Sequence, residues 1–467
     1  VPYIDKTLVR FSALHRVTQS APWVLMGHPR VKYAGWRPQD SETAVERVLV
    51  SALTPRTFWE RYVALRRPVV LIGDLGLGQL RKLSDTTYLR KQAAYEKVRV
   101  EVRGNEKLDF RARHYVTTTF GDFLDKYETG NPLHYLTTEA MHLDAQGRLA
   151  VLSPPLTSLV KDLPSSIPLM GNLVLANVNL WMGNSHDGAS SGLHHDYHDN
   201  LYLLQRGRKR FQLYSPDEAP RMYTRGRLDV VHANGRINYK GSTTRADGAD
   251  PSVLARVSAG EQARAALELE RAEDAHDAGE QGAAKRLRKA EKSLDVAMEA
   301  VLVAEELEAK WAKRRAKKSV LKVQSGAKCE MGEEDDQEAP HFSKVTRSKP
   351  ELFPLFGKAR CLEVELLANE SLFLPAGWFH EVTSYNEGGS THVTPAVGGK
   401  RSRIQDVRHG NSDVKNRGHI AVNYWFHPPD AGTISRTATY EAPYNSNLWA
   451  RDYELWMELE GRKLGFL

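Results

Sequence analysis

The sequence predicts a mainly β domain decorated with helices, and three observations carry that prediction. Apolar, aromatic-rich runs of strand length recur in two separated stretches. The first holds residues 201–204 and 211–214; the second holds SLFLPAGWFH, ending at His380, and HIAVNYWF, from His419 to Phe426. Gly207 falls between the first two runs, where it predicts a hairpin turn, and Pro375 and Gly377 turn the chain just before His380. Between the two stretches the composition switches to Ala, Glu, Lys, Arg and Leu without proline, which reads as helix.

In chain order, residues 1–130 form a helical and mixed region leading into the core, and 131–240 form the first half of the β domain. An insertion follows at 241–345. GSTTRADGADP (241–251) reads as loop, and two helices at about 259–277 and 283–317, broken by Gly279 and Gly282, form an antiparallel hairpin. Leu287, Leu294 and Val301 recur at heptad spacing with Met298 between the last two, a seam too short for a long coiled coil. The insertion ends in a basic run, 310–322 from Lys310 to Lys322, and an acidic loop, GEEDDQE (332–338). Residues 346–430 complete the β domain, with a long loop over 385–418. Residues 431–467 read as a C-terminal amphipathic helix carrying Trp449, Tyr453 and Trp456, which packs on the domain or on a second copy of the chain.

Composition narrows the class. The 467 residues are 41% hydrophobic, enough for a core, and no run approaches a membrane span. The two cysteines, Cys329 and Cys361, exclude a disulfide framework and Cys-based zinc modules, so a cytoplasmic or nuclear compartment is expected. The net charge of +7 is compatible with an acidic partner without requiring one.

The chemistry-bearing residues lie in the strand runs. SGLHHDYHDNLYLLQRGRKRFQLYSP (191–216) carries His194 and Asp196, and LFLPAGWFHEV (372–382) carries His380. His-x-Asp with one distant His is the donor set of a facial 2-His-1-carboxylate site for Fe(II). In one extended strand, residues i and i+2 point the same way, so His194 and Asp196 converge, with Asn200 further along that face. Alone, a His-x-Asp reads as a polar strand whose side chains bond each other; the distant His380 and Lys209 favour the metal. A helical zinc pair of His194 and His198 lacks the His-Glu-x-x-His context. A buried Lys209 suits the far carboxylate of a dicarboxylic acid, but within RGRKR it also reads as one cation of a surface turn. His195, His198 and His232 read as non-ligands.

The words NLWMG (179–183), GLHHDYHDNLY, GRKRF, LPAGWFHEV and IAVNYWF, in this order, resemble the JmjC branch of the Fe(II)/2-oxoglutarate oxygenases. The likeness is to its hydroxylases, factor-inhibiting HIF and the small JmjC lysyl hydroxylases among them. LTPRTFWERYVALRRPVVLIG (53–73) is similar to the segment that leads into that domain. The resemblance covers roughly residues 50–240 and 350–430. It implies a double-stranded β-helix, the cupin-like jelly roll, with His194, Asp196 and His380 as iron ligands. It further implies Lys209 as partner of the 2-oxoglutarate C5 carboxylate, with Tyr135 and Ser191 beside it, and Asn200 and Asn423 near the chelating end. Fe(II), 2-oxoglutarate and dioxygen are the implied cofactor and co-substrates, with succinate and carbon dioxide as co-products.

Three functions stay open. The first is hydroxylation of a Lys, Arg or Asn side chain in a protein substrate. The second is lysine demethylation or RNA-nucleoside hydroxylation; demethylases of the family often carry Glu where this chain has Asp196, and Cys-rich modules that it lacks. The third is a non-catalytic interaction protein, against which the triad with Lys209 speaks. The inserted hairpin is either a solvated decoration or a docking arm, with the basic run 310–322 facing nucleic acid or a ribonucleoprotein or serving as a nuclear localisation signal.

Overall fold

A computed structural model of the chain describes residues 30–104, 114–138, 151–164, 166–185, 188–242, 244–246, 248–324, 339–346, 349–386, 418–429, 439–444 and 448–449. Cys329, the acidic run, most of the expected 385–418 loop, and Tyr453 and Trp456 of the expected C-terminal helix lie outside those residues. In chain order the strands are β1 (Arg30–Val31), β2 (Arg47–Leu49), β3 (Val69–Ile72), β4 (Lys97–Val102), β5 (Tyr115–Thr119), β6 (His134–Thr137), β7 (Leu175–Gly183), β8 (Ala189–Ser190) and β9 (His194–His195). They continue with β10 (Asp199–Arg206), β11 (Arg208–Tyr214), β12 (Leu228–Val231), β13 (Ile237–Tyr239), β14 (Leu362–Leu367), β15 (Ser371–Leu374), β16 (Phe379–Tyr385) and β17 (His419–Phe426).

Helices begin where side chains cap them. Thr54 caps α1 (Pro55–Phe58), Asp85 caps α2 (Thr86–Ala93), and Thr119 caps α3 (Phe120–Glu128), which buries Phe120, Phe123, Leu124 and Tyr127. The inserted hairpin consists of α4 (Pro251–Asp277) and α5 (Ala283–Gln324). The first helix starts at Pro251 rather than at 259 because Asp250 accepts from the Ser252 and Val253 amides, with Pro251 at the first helical position.

Nine strands form a large sheet in the order β2-β3-β15-β10-β17-β7-β6-β4-β5. A smaller sheet runs β14-β11-β16-β8, with β9 also paired to β16, and β1, β12 and β13 form a third. Strand alternation sorts the core. Tyr202 and Leu204 of β10, Leu372 and Leu374 of β15, and Ala421 of β17 meet Phe211 and Leu213 of β11 and Leu362, Val364 and Leu366 of β14. This is the filling between the two main sheets. Leu201, Leu203, Phe373, Ile420 and Val422 face the opposite way and pack on Phe58, Tyr62, Phe123 and Leu124 from the N-terminal helices.

The hairpin expected at Gly207 does not form. β10 pairs with β15 and β17, whereas β11 pairs with β14 and β16, so the chain crosses from one sheet to the other at Gly207. Tyr202 and Phe211 instead meet edge to face across the core, 5.3 Å apart. Gly207 has φ +82°, and a Cβ there would lie 2.7 Å from the His419 Cβ. A hairpin turn and a sheet-crossing corner make the same local demand for glycine, which is why the sequence pattern does not separate them. The turn before His380 is a second such corner, joining β15 in the large sheet to β16 in the small one.

One buried ion pair secures the corner before His380. The Arg66 guanidinium and the Asp199 carboxylate are both fully buried and doubly hydrogen-bonded. Asp199 also accepts from the Ala376 amide (2.8 Å), and Arg66 Nε donates to the Asn234 carbonyl (2.9 Å). Removing one partner of such a pair strands an uncompensated charge. Asp199→Ala should therefore cost about 3–5 kcal/mol in a urea unfolding titration. A loss below about 1 kcal/mol would show that the corner holds without the pair.

Candidate metal centre and co-substrate pocket

Strand register brings two imidazoles together. β9 pairs antiparallel with β16 so that His194 stands opposite His380, and their ring centroids are 4.3 Å apart. Asp196 completes the group, with Oδ1 4.0 Å from His194 Nε2 and Oδ2 3.7 Å from His380 Nε2. The three ligand atoms lie within 4.8 Å of one another, and among the described residues this is the one such His, Cys, Asp and Glu cluster. His194 and Asp196 do not share one continuous strand, as i,i+2 alternation suggested. β9 ends at His195, and Asp196 sits on the crossing into β10, where its carbonyl accepts from the Gly377 amide (2.9 Å).

Backbone carbonyls orient both rings. His194 Nδ1 lies 2.8 Å from the Gly192 oxygen, and His380 Nδ1 lies 3.0 Å from the Trp378 oxygen. A carbonyl only accepts, so each Nδ1 carries the hydrogen and each Nε2 presents a lone pair toward Asp196. Burial, helped by His380, pushes the His194 pKa well below 6.5 and keeps the ring neutral. Burial also raises the Asp196 pKa, with His380 and Asn200 opposing. Two imidazoles and one half-buried carboxylate fit a divalent ion held about 2.0–2.2 Å from each donor. Phe342 stacks on the His194 ring, 4.8 Å away and 15° from parallel. Its carbonyl accepts from the Arg225 amide, so the chain returning from the insertion walls the site.

The second cluster lies on inward faces of both sheets. Within the RGRKR run, Arg208 and Arg210 pair with Glu365 and Glu363 on the outer face, while Arg206 is buried and Lys209 is 1% exposed. Lys209 Nζ donates to Ser384 Oγ (2.6 Å) and lies 3.3 Å from His419 Nδ1 and 5.8 Å from the centre of the Tyr135 ring. Among the described residues it makes no ion pair, and burial pushes its pKa down from 10.5 to about 7. An uncompensated buried cation fits the far carboxylate of an acid bound at the metal.

Asn423 connects to the metal side. Its Nδ2 donates to Asn200 Oδ1 (3.0 Å), and its Oδ1 accepts from Trp181 Nε1 (2.8 Å). Ser191 is placed otherwise than beside Lys209: its hydroxyl donates to the Gly192 carbonyl and accepts from the Val382 amide. His195 bonds the Tyr239 hydroxyl, His198 stacks on Trp425, and His232 lies past β12, all outside the triad. Sequence reasoning missed Ser384, His419 and Phe342. Ser384 shares strand parity with His380, and His419 with Asn423, so alternation along each strand could have found both. No local signal marks Phe342.

The chain matches the model of the Cupin-like domain over residues 55–432. It is 30% identical to JmjC domain-containing protein 4 of Schizosaccharomyces pombe, over 89% of this chain and 91% of that one. It is 27% identical to the human bifunctional peptidase and (3S)-lysyl hydroxylase JMJD7, over 36% of this chain and 53% of that protein. It is 25% identical to tRNA wybutosine-synthesizing protein 5 of Gallus gallus, over 41% of this chain and 62% of that protein.

Two substitutions test this geometry. Asp196→Ala leaves two imidazoles to hold the ion and should abolish Fe(II) binding and succinate release while the fold survives; full succinate production would overturn the assignment. For Lys209, the ligand-free folded state binds its proton less tightly than the unfolded chain. That cost grows as pH falls from 10.5 towards 7 and is complete below it. Lys209→Met should thus raise the melting temperature of the ligand-free protein more at about pH 6 than at about pH 9. The same change should raise the KM for 2-oxoglutarate about 30- to 150-fold. An unchanged KM would remove Lys209 from the pocket.

Proposed function

The chain belongs to the JmjC-type cupin-like family, and on that premise we propose that it is an Fe(II)- and 2-oxoglutarate-dependent dioxygenase hydroxylating a Lys, Arg or Asn side chain of a protein substrate. One observation carries the proposal: the His194, Asp196 and His380 triad shares a sandwich interior with a buried lysine that has no counter-anion among the described residues. Fe(II) with 2-oxoglutarate supplies oxygen activation coupled to decarboxylation, giving succinate and a hydroxylated C–H.

The residues of this chain contribute geometry and exclusion of water. His194, Asp196 and His380 would hold the metal by one face, leaving the other face for co-substrate and oxygen. Lys209 and Ser384 would fix the far carboxylate, and with it the angle at which the oxo acid meets the metal. Asn423, held between Asn200 and Trp181, would supply amide polarity near the chelating end. Phe342 and the apolar filling between the sheets keep bulk water from that interior.

A protein side chain is favoured as substrate because one similar protein is named a lysyl hydroxylase and Asp196 stands where the family's demethylases often have Glu. The likeness to tRNA wybutosine-synthesizing proteins and the basic end of the insertion favour a nucleoside as second reading. N-oxalylglycine, a 2-oxoglutarate analogue, can trap partners on the full chain. Each captured species is then searched for a residue that gains one oxygen atom with the active enzyme and not with Asp196→Ala. Oxidised protein supports the first reading, oxidised RNA the second, and absence of 2-oxoglutarate turnover overturns both. Replacing residues 260–322 with a Gly/Ser linker should preserve metal and co-substrate binding, because loop length costs stability slowly. If the hairpin is a docking arm, turnover of the captured substrate should fall.

A further inference from the structure

His419 opens β17 and is fully buried. Alternation puts it on one strand face with Ala421, which packs between the sheets, and with Asn423. Its Nδ1 lies 3.3 Å from Lys209 Nζ. When Lys209 carries its proton, the ammonium only donates, so Nδ1 accepts and the ring hydrogen sits on Nε2. Among the described residues that Nε2 has no hydrogen-bond partner. A buried N–H without an acceptor is costly, and a group outside the chain that completes it is one of the few physical reasons to keep it.

The surroundings specify what completes it. Burial, then Lys209 and Arg103, keep the His419 ring neutral, so the potential at Nε2 is that of a site near two cations. Ser384 Oγ accepts from Lys209 and retains its own hydrogen to donate. Ammonium, hydroxyl and imidazole N–H thus occupy one neighbourhood, a donor set that suits an anion with several acceptor positions. Gly183 leaves the room: it pairs with both Tyr135 and His419, and a Cβ there would lie 2.6 Å from the Tyr135 ring and 3.0 Å from His419 Cε1. The Tyr135 and His419 rings, 5.8 Å apart, flank that space.

We infer that His419 recognises the carboxylate remote from the metal. Its Nε2–H donates to a carboxylate oxygen while its Nδ1 holds Lys209 in its charged form. The inference rests on the 2-oxoglutarate reading above. It adds a neutral donor to the lysine and ties β17 to β11 through the ligand.

The test is calorimetric titration of the full chain loaded with Zn(II), which cannot turn over. 2-Oxoglutarate is compared with pyruvate, which keeps the metal-binding end and lacks the far carboxylate. H419L should weaken 2-oxoglutarate binding about 10- to 100-fold and leave pyruvate within about twofold. H419Q should recover most of the loss, because its amide can donate from a position near the imidazole Nε2. A second readout uses no variant: in protein labelled with 15N-histidine, the His419 Nε2–H resonance should move downfield with 2-oxoglutarate and stay put with pyruvate. H419L binding 2-oxoglutarate like the unsubstituted chain, an equal loss for pyruvate, or an unmoved resonance overturns the inference. Failure of the unsubstituted protein to bind 2-oxoglutarate overturns the functional reading beneath it.

Discussion

The ion pair between Arg66 and Asp199 is the contact on which the site depends. Asp199 follows Asp196 closely in sequence, and the Ala376 amide it binds lies just before His380. Trp378 Nε1 donates to the Arg66 carbonyl, and Gly377 N to the Asp196 carbonyl. The pair therefore fixes the two crossings that bring Asp196 and His380 together. Gly377 shows how tight the junction is: a Cβ there would sit 1.8 Å from the Gly235 oxygen. A pair this deep is stabilising only because nearly every donor and acceptor on it is used.

The sandwich interior is divided between two chemistries. At β14 and β15 it is filled by leucine and valine, as between any two packed sheets. Around β9, β16, the start of β11 and the facing part of β17, the inward positions instead include histidine, lysine, serine and asparagine. A buried, uncompensated Lys209 destabilises the ligand-free fold at neutral pH, and the apolar half together with the packing of β10, β15 and β17 on the N-terminal helices offsets that cost. Ligand binding then has a ready source of free energy, since an anion arriving at Lys209 relieves a strain the fold already carries.

Much of this was legible in the sequence because it follows from local pattern. Apolar strand runs, the His-x-Asp spacing and a distant His after Pro375 and Gly377 announce a β domain with a candidate facial metal site. The charged, proline-free stretch announces a helical hairpin with ends near Asp277 and Ala283, where Gly279 and Gly282 stand. The cap at Asp250 was equally local, although the start at Pro251 was set later in the chain. Family resemblance gave roles to Lys209, Asn200 and Asn423 and added Tyr135 and Ser191, whose types are ambiguous without a known arrangement.

What the amino-acid sequence by itself determined was which residues carry the chemistry and which segments extend or coil, since these depend on side-chain type and periodicity. Tertiary structure alone decided which strands share a sheet. Gly207 and Gly377 permit sharp turns, but only the packing of β11 and β16 on the far side makes those turns corners rather than hairpins. That choice buries Lys209 beside Ser384 and His419, removes Ser191 to a backbone contact, and brings Phe342 across the insertion onto His194. Each contact joins residues remote in sequence, where no local pattern constrains the distance between them.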